Sequence, residues 1–532
     1  INGSVILGNT LEIHTDVPAV NGSGKVTMTD GTLYSNGNLV LASEATGTAT
    51  IGSLANGDII GNVTAQRFIP GGPNKRRWRL LSSPVNVSDS TSFTQIQDNI
   101  FVTGIGEGFD EAPVQPSLKT YDERKPGATN DGWVFPSSIS NQLGKGEGVC
   151  VFVRGSRQLA DPFNTNTVPD DVVIDYIGTV NKGDIQPNVY YTAAGSTSVS
   201  SRGWNLVGNP YQAYLTWDNI QKTNLENKIY FYNPVTATYD IYDATLGTGT
   251  NQATKRIAPG QGFFVRTKNT GASIRFKETS KSDTLSNSFY RSTGVENLLS
   301  IRVYIDSINH DETIIALNDT AQKAATDEPD ASKFFNDYVN IYSKSEEGNN
   351  LAINYYPIPA SDDTVKLSVF AYDNGLKWIG DHELQFAGIS SFSKYFEIYL
   401  LDTYLQTTVD LRTFDRYAFS ITSDDASVGN NRFRIIFRNT NTGIKKEEKE
   451  SFFLVYPNPF SQVLNIALAA ELSGKDAEVS IYDATGKMEY HETFYNPSGT
   501  IQLSTEQLKP GLHYIRVHAD GRQASFKTVK VE

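Results

Sequence analysis

Apolar residues along this chain alternate with polar ones in short runs and rarely recur at helical spacing. From residue 1 to about 66 the pieces "SVILG", "NTLEIHT", "GKVTMTDG", "GNLVLAS" and "GTATIGS" are each one strand long and close on turn residues. A single rung of this kind buries no core, whereas stacked rungs do. The pattern therefore predicts the end of a β-helix-like stack, and the abrupt start at Ile1 predicts further rungs before it.

An internal repeat follows. "RRWRLLSSPV" (76–85) is echoed by "RGWNLVGNPY" (202–211), which aligns Trp78 with Trp204, Leu80 with Leu206 and Pro84 with Pro210. "LKTYDE" (118–123) parallels "IYFYNP" (229–234), and "GKGEGVCVFVRG" (144–155) parallels "PGQGFFVRT" (259–267). The order of the matches predicts a duplicated β unit. Each copy has a Trp strand ending at a proline turn, a hairpin strand, and a Gly-x-Gly turn into an apolar strand ending in Arg. That Gly-x-Gly lacks the third glycine and following helix of a phosphate loop, so its glycines are expected to supply positive φ or a bulge.

Residues 291–440 alternate as half-buried sandwich strands do ("LLSIRVYID", "LAINYYP", "VKLSVFAY", "FEIYLLD", "RFRIIFR"), around a long loop at 321–336 with one helical turn. "RNTNTGIKKEEKE" (438–450) is charged and poor in apolar residues, as exposed joints are. The reading is all-β and multidomain. It places the end of a repetitive β stack at 1–66, β unit copies at 67–157 and 158–290, and a β-sandwich at 291–440. A charged linker at 441–450 and a C-terminal domain at 451–532 complete the chain.

Composition narrows the chemistry. The chain has 532 residues, too many for one core, and no apolar run approaches the roughly 20 residues needed to span a bilayer. It starts without Met or a signal-peptide pattern, which fits a removed leader or a fragment of a longer chain. A net charge of −13 argues against a nucleic-acid partner. The one basic cluster, Lys75-Arg76-Arg77-Trp78-Arg79, reads as a strand edge with Arg packed on Trp. The single cysteine, Cys150, excludes an intrachain disulfide and sits in an apolar run, as inert buried thiols do. The six histidines show no zinc spacing, and no nucleophile elbow is present, so no catalytic residues are assigned and no enzyme activity is expected in this chain.

Calcium is the one cofactor considered. Its weak candidates are the loop carboxylates Asp327, Glu328 and Asp330, with Asp362-Asp363 and Asp424-Asp425 in turns, although none lies in an EF-hand run. Trp133, Trp217, Tyr355, Tyr356 and Trp378 are weighed as a glycan platform against plain core packing, which is the preferred reading.

Residues 451–532 carry the strongest pattern: "FLVYPNPF", "VLNIAL", "AEVSIYDATGK", "TIQLSTEQLKPGLHYIRVHADG" and "ASFKTVKVE". Every piece is a strand or a turn that closes one. Together they resemble the type A C-terminal sorting domain of Bacteroidetes proteins exported by the type IX secretion system. The family's Y-P-N-P opening falls on Tyr456, Pro457, Asn458 and Pro459. Its "IYD..GK" hairpin falls on Ile481, Tyr482, Asp483, Gly486 and Lys487. Its "L.PG.Y.I.V" falls on Leu508, Pro510, Gly511, Tyr514, Ile515 and Val517, with one additional residue, His513, before the Tyr. Its last strand falls on Phe526, Lys527, Val529 and Lys530.

The resemblance implies an Ig-like sandwich with one terminal strand free to be read. It implies binding by a barrel-type outer-membrane shuttle protein and passage through the outer-membrane translocon. It further implies removal by a sortase-like protease, commonly with attachment to lipopolysaccharide. The cut is expected in the linker Lys445, Lys446, Glu447, Glu448, Lys449 and Glu450, and the two prolines are expected to keep that linker from pairing into the passenger's sheet. The Trp repeat and "DASKFF" also look like passages of large surface proteins and adhesins of gliding flavobacteria. The leading expectation is a cell-surface or secreted adhesin or structural protein with a glycan or surface ligand. The alternatives are the end of a polysaccharide-active enzyme whose catalytic domain lies upstream, and an array of carbohydrate-binding modules.

Overall fold

Three strands from three successive turns of chain align in parallel, and this happens three times over. Ser4–Leu7 pairs with Lys25–Met28 and that with Thr50–Ile51. Leu11–Glu12 pairs with Thr32–Tyr34 and that with Asp58–Ile60. Ala19–Val20 pairs with Leu39–Leu41 and that with Asn62–Ile69. Three parallel sheets visited in rotation make a β-helix, with Val26, Met28, Leu33, Leu41, Ile51, Ile59 and Val63 buried inside it. The computed structural model describes residues 4–7, 11–12, 19–20, 24–88, 90–111, 115–193, 201–282, 295–324, 329–373, 375–440 and 452–531. Two compact units divide the chain, Ile1–Ser292 and Thr293–Glu532. No helix among the described residues is long and apolar enough to cross a membrane.

The expected boundary at 66 falls inside the strand Asn62–Ile69, which runs on to pair antiparallel with Val172–Val180. That strand also takes Val85–Asn86. The β-helix, the first copy and Val172–Val180 consequently share one core, while a separate core begins at Ile185.

The duplication is visible in the pairing. Arg77–Leu81 lies on Val149–Val153, with Leu118–Tyr121 on the other side. Trp204–Gly208 lies on Gly262–Arg266, with Lys228–Asn233 on the other side. Trp78 faces Phe152, and Trp204 faces Arg266. In this register Gly146-Glu147-Gly148 corresponds to Gly260-Gln261-Gly262, and the arginines ending the two strands are displaced by two residues. A shift of two leaves every side chain on its face, so the glycines mark the true equivalence.

Those glycines hold the copies together. Gly146 (φ 78°) and Gly260 (φ 63°) adopt the left-handed conformation the turn requires. The amide of Ser82 donates to the carbonyl of Gly260 at 2.9 Å, and the amide of Gly208 donates to Gly146 at 2.8 Å. Leu81 bridges Gln261 and Val207 bridges Glu147. Each copy thus offers its Trp strand to the other's glycine turn, the reciprocal contact of a two-fold pair. A Cβ on Gly148 would lie 2.7 Å from Val207 O, and one on Gly262 2.9 Å from Leu81 N.

Trp204 is buried edge-on to Tyr230. Trp78 is half-buried on an edge strand. The cation on its face is not an arginine of the basic cluster but Lys119, held 4.3 Å from Trp78 and 4.0 Å from Trp133. Cys150 is a buried free thiol.

In the second unit one continuous sheet supplies both walls of the sandwich. Its path runs from Thr407–Asp410 through Phe396–Asp402, Gly429–Asn439, Asp363–Asp373, Val339–Lys344, Asn350–Pro357, His310–Asn318, Leu298–Tyr304 and Gly380–Ala387 to Arg416–Ile421. Strands from both ends of the path contribute to the same core. Within the loop expected to hold a helical turn, Ala331–Ser332 is a short strand on Asn350–Pro357.

Substituting Gly148 or Gly262 by Ala should destabilise the first unit by about 1–3 kcal/mol, because the added carbon meets backbone that cannot yield. Urea denaturation followed by tryptophan fluorescence measures this, and unchanged midpoints for both variants would refute the crossing.

Candidate functional site

The last domain is built as the alternation of its strands demands. Phe453–Tyr456, Val463–Leu468 and Thr500–Ser504 form one sheet. Met488–Phe494, Ala477–Asp483, Gly511–Ala519 and Arg522–Lys530 form the other. Leu464, Ile466, Val479, Ile481, Ile515 and Val517 fill the space between.

Asp483, Gly486, Lys487, Tyr514 and Lys527 lie at one end of the four-stranded sheet and on its outer face. Asp483, Gly486 and Lys487 form the hairpin turn. One Asp483 carboxylate oxygen accepts from the Thr485 hydroxyl, from the Thr485 amide at 2.8 Å and from the Lys487 amide at 3.0 Å. The Thr485 hydroxyl above all, then the Lys487 and Thr485 amides, hold that carboxyl below its usual range. Gly486 (φ 86°) supplies the left-handed corner. Asp483 lies opposite His513, and Gly511, next to the exposed Pro510, lies opposite Lys530.

Along the outer face one row crosses all four strands: Met488, Tyr482, Tyr514 and Lys527. Met488 is 49% and Tyr514 42% exposed, and Lys527 is exposed beside them. Arg516 sits 5.4 Å from the Tyr482 ring. Two tyrosines, a methionine and two cations make a surface that can bind an apolar or anionic partner without moving. Tyr482 belongs to the hairpin motif read from the sequence, whereas Met488 and Arg516 were not singled out there. The period-two placement of Arg516 after Tyr514 on one strand was the available signal for it.

The expectation of a free terminal strand is corrected. Arg522–Lys530 pairs with Gly511–Ala519 on one edge. On the other edge Asn458 donates to Lys527 O at 3.1 Å and accepts from the Val529 amide at 3.0 Å. The Phe460 amide donates to Val529 O at 2.9 Å, and Lys530 reaches back to Ser461 O. Pro457 and Pro459 flank this clasp, through X-Pro bonds that are both cis. The "NPF" segment is therefore an edge cover for the last strand.

Tyr456 takes a different direction. It is buried against the passenger, its ring stacked on Tyr417 at 4.7 Å between centroids. Its hydroxyl accepts from the Ala418 amide at 3.1 Å. Ala467 and Ala469 enter the same core, and the Ala470 amide donates to Thr413 O at 3.1 Å. The opening motif does not stand clear of the passenger. Its tyrosine is seated in it, and burial holds that phenol protonated.

The other candidates resolve simply. Asp330 is buried and accepts from the Tyr355 amide at 2.8 Å. Asp327, Glu328 and the linker residues Lys445 to Glu450 lie outside the described residues. No group of three or more His, Cys, Asp or Glu able to hold a metal ion occurs among the described residues. Trp217, Tyr355 and Tyr356 are buried, Trp378 packs against the sandwich core, and Trp133 lies between Tyr121, Phe264 and Lys119. These aromatics are packing residues.

Comparison with known proteins adds two family matches. A model described as "Domain of unknown function (DUF8693)" matches residues 3–437, and one described as "Secretion system C-terminal sorting domain" matches residues 454–531. No curated protein matches the chain. Among solved structures, similarity is found to dimeric latent PorU from Porphyromonas gingivalis at 12% identity and a TM-score of 0.14. That match covers 49% of this chain and 31% of that one, so it spans about a third of the relative. The BSP domain of a biofilm-associated protein matches at 9% identity and a TM-score of 0.15, covering 88% of this chain and 92% of that one. A tetra-tandem repeat of a large adhesion protein matches at 7% identity and a TM-score of 0.11, covering 78% and 91%.

Two outcomes test the site's geometry. Tyr456→Ala should cost about 3–5 kcal/mol in chemical denaturation of the second unit, as for other buried aromatics, while Tyr456→Phe should cost about 1 kcal/mol. Because Asp483 has a lowered folded pKa, its hold on the turn is complete above about pH 4 and is lost as pH falls through that lowered value. Hydrogen exchange at the Thr485 and Lys487 amides should accelerate there relative to neighbouring strand amides. Asp483→Ala should remove that pH dependence.

Proposed function

The chain belongs to the DUF8693 family, and we propose that it is an adhesive or structural protein of the cell surface that acts through its β modules without catalysis. Its last domain is a type IX secretion C-terminal sorting domain. The protein is exported across the outer membrane to the cell surface or extracellular space and interacts with the type IX machinery on the way.

The observation that carries the finer reading is the outward row Tyr482, Tyr514 and Lys527, where three separate motifs converge on one face. This face is what the barrel-type shuttle protein reads. The sortase-like protease cuts in the linker from Lys445 to Glu450, after which the passenger is joined to lipopolysaccharide. In the passenger, Tyr34 and Ile60 stand side by side and exposed on the second β-helix sheet, an apolar ladder suited to contact with a glycan or another surface. Several such weak contacts, presented on one secreted chain, add through avidity. This reading requires no cofactor.

Removing residues 452–531 should leave the protein in the periplasm, as cell fractionation would reveal. The paired change Tyr514→Ala and Lys527→Glu should cut surface display at least tenfold while altering stability by no more than about 0.5 kcal/mol, the range for exposed positions. Normal surface delivery of that variant would refute the assigned face. Tyr34→Ser with Ile60→Ser should reduce cell attachment without changing surface display, and unchanged attachment would count against the adhesive role.

A further inference from the structure

The second β unit contains a lysine whose surroundings do not suit a charge. Lys228 and Asp243 stand directly opposite each other on the antiparallel strands Lys228–Asn233 and Thr238–Asp243. Both side chains are 0% exposed, and Lys228 Nζ lies 4.0 Å from an Asp243 carboxylate oxygen. Lys228 Nζ has no hydrogen-bond partner among the described residues. An ammonium offers three donors, and burying it with none engaged is among the costliest arrangements a fold can hold. Other buried lysines of the chain are satisfied: Lys333 donates to Asp311 at 2.5 Å, and Lys281 to Gly52 O at 3.1 Å beside Glu278.

A second buried carboxylate belongs to the same segment. Glu226 precedes Lys228 by two positions, is buried, and pairs with Arg266 at 3.2 Å. Tyr230, two positions further on, places its hydroxyl 3.4 Å from Glu226. Burial first, then the charge of Glu226 and, more weakly, that of Asp243, against the opposing charge of Arg266, push that phenol well above its ordinary range. Lys228 and Tyr230, two apart on one strand, share its face.

The geometry points to an intramolecular isopeptide bond between Lys228 Nζ and Asp243 Cγ. Glu226 takes a proton from the ammonium, and the freed amine attacks the Asp243 carboxyl carbon. The new C–N bond forms as a C–O bond breaks. The nitrogen keeps one hydrogen, and its other two leave with one carboxyl oxygen as water, so no oxidant or activating co-reactant is needed. The product is a neutral amide that removes two buried charges and closes the Lys228–Asp243 hairpin covalently. The flexible lysine stem closes the present gap by rotation within a site that already excludes water. This inference is independent of the sorting domain.

The test is the intact mass of the purified full chain, followed by peptide mapping. The wild type should be lighter than its sequence by one water. A branched peptide joining Lys228 to Asp243 should be present, and Lys228→Met and Asp243→Ala should each have their full sequence mass. A wild type at full sequence mass overturns the proposal. So does a water loss that maps to a single unbranched peptide or to Lys333 and Asp311. Glu226→Gln should leave most molecules unlinked, and linkage as complete as in the wild type would overturn the assignment of Glu226 as the proton carrier. The wild-type measurement decides the bond even if a variant fails to fold.

Discussion

The second unit depends on one buried carboxylate. Asp402 sits near one end of the long sheet and Tyr417 on its last strand at the other, and the Tyr417 hydroxyl donates to Asp402 at 3.0 Å. Arg432 approaches the same carboxylate at 2.9 Å, and both charges are within 1% of complete burial. Such a pair costs more than it returns unless every donor and acceptor is used. Here the Tyr404 and Leu405 amides also donate to Asp402, while Arg432 donates to Ser420 O at 2.7 Å and to Ser427 O. The network turns an open run of strands into a closed wall, because it joins strands that the hydrogen-bond ladder leaves far apart. It also fixes the Tyr417 ring, on which Tyr456 of the sorting domain rests.

In the first unit the corresponding constraint is reciprocity. Each Trp strand ends against the other copy's glycine turn, so neither turn can acquire a side chain without displacing backbone of the opposite copy. Duplication explains why the same two glycines recur, and the reciprocal contacts explain why the sequence between them was free to diverge. Trp78 is half-exposed under a lysine, whereas Trp204 is wholly buried under aromatics.

Much of this was legible because it is local. Period-two alternation and turn residues marked the strands of the β-helix, the repeated units and the tail, and "ATGK" closes its hairpin as its residue types require. Relations over long separations were not legible. Asp402 and Arg432 look like ordinary strand-end charges until the sheet closes. Lys119 is nowhere near Trp78 in sequence, so a neighbouring arginine was the natural but mistaken choice of cation. The arginines at the ends of the Gly-x-Gly strands aligned well as letters, yet the pairing register gives their place to the glycines. Tyr456 misled most. Beside two prolines it read as part of a turn, and only its partner some forty residues upstream shows it to be an anchor.

That anchor gives the sorting domain two working faces. The three-stranded sheet, through Tyr456, Ala467 and Ala469, is committed to the passenger. The four-stranded sheet presents Tyr482, Tyr514 and Lys527 outward. Because the faces lie on different sheets of one rigid sandwich, recognition of the second needs no disturbance of the first. Severing the chain between residues 440 and 452 removes no atom of the Tyr417–Tyr456 contact, so a cut there breaks the covalent tie and leaves the seat intact. The seat in turn rests on a ring whose hydroxyl Asp402 holds inside the closed sheet. "YPNPF" divides that work: its tyrosine faces the passenger, and its asparagine and phenylalanine clasp the last strand.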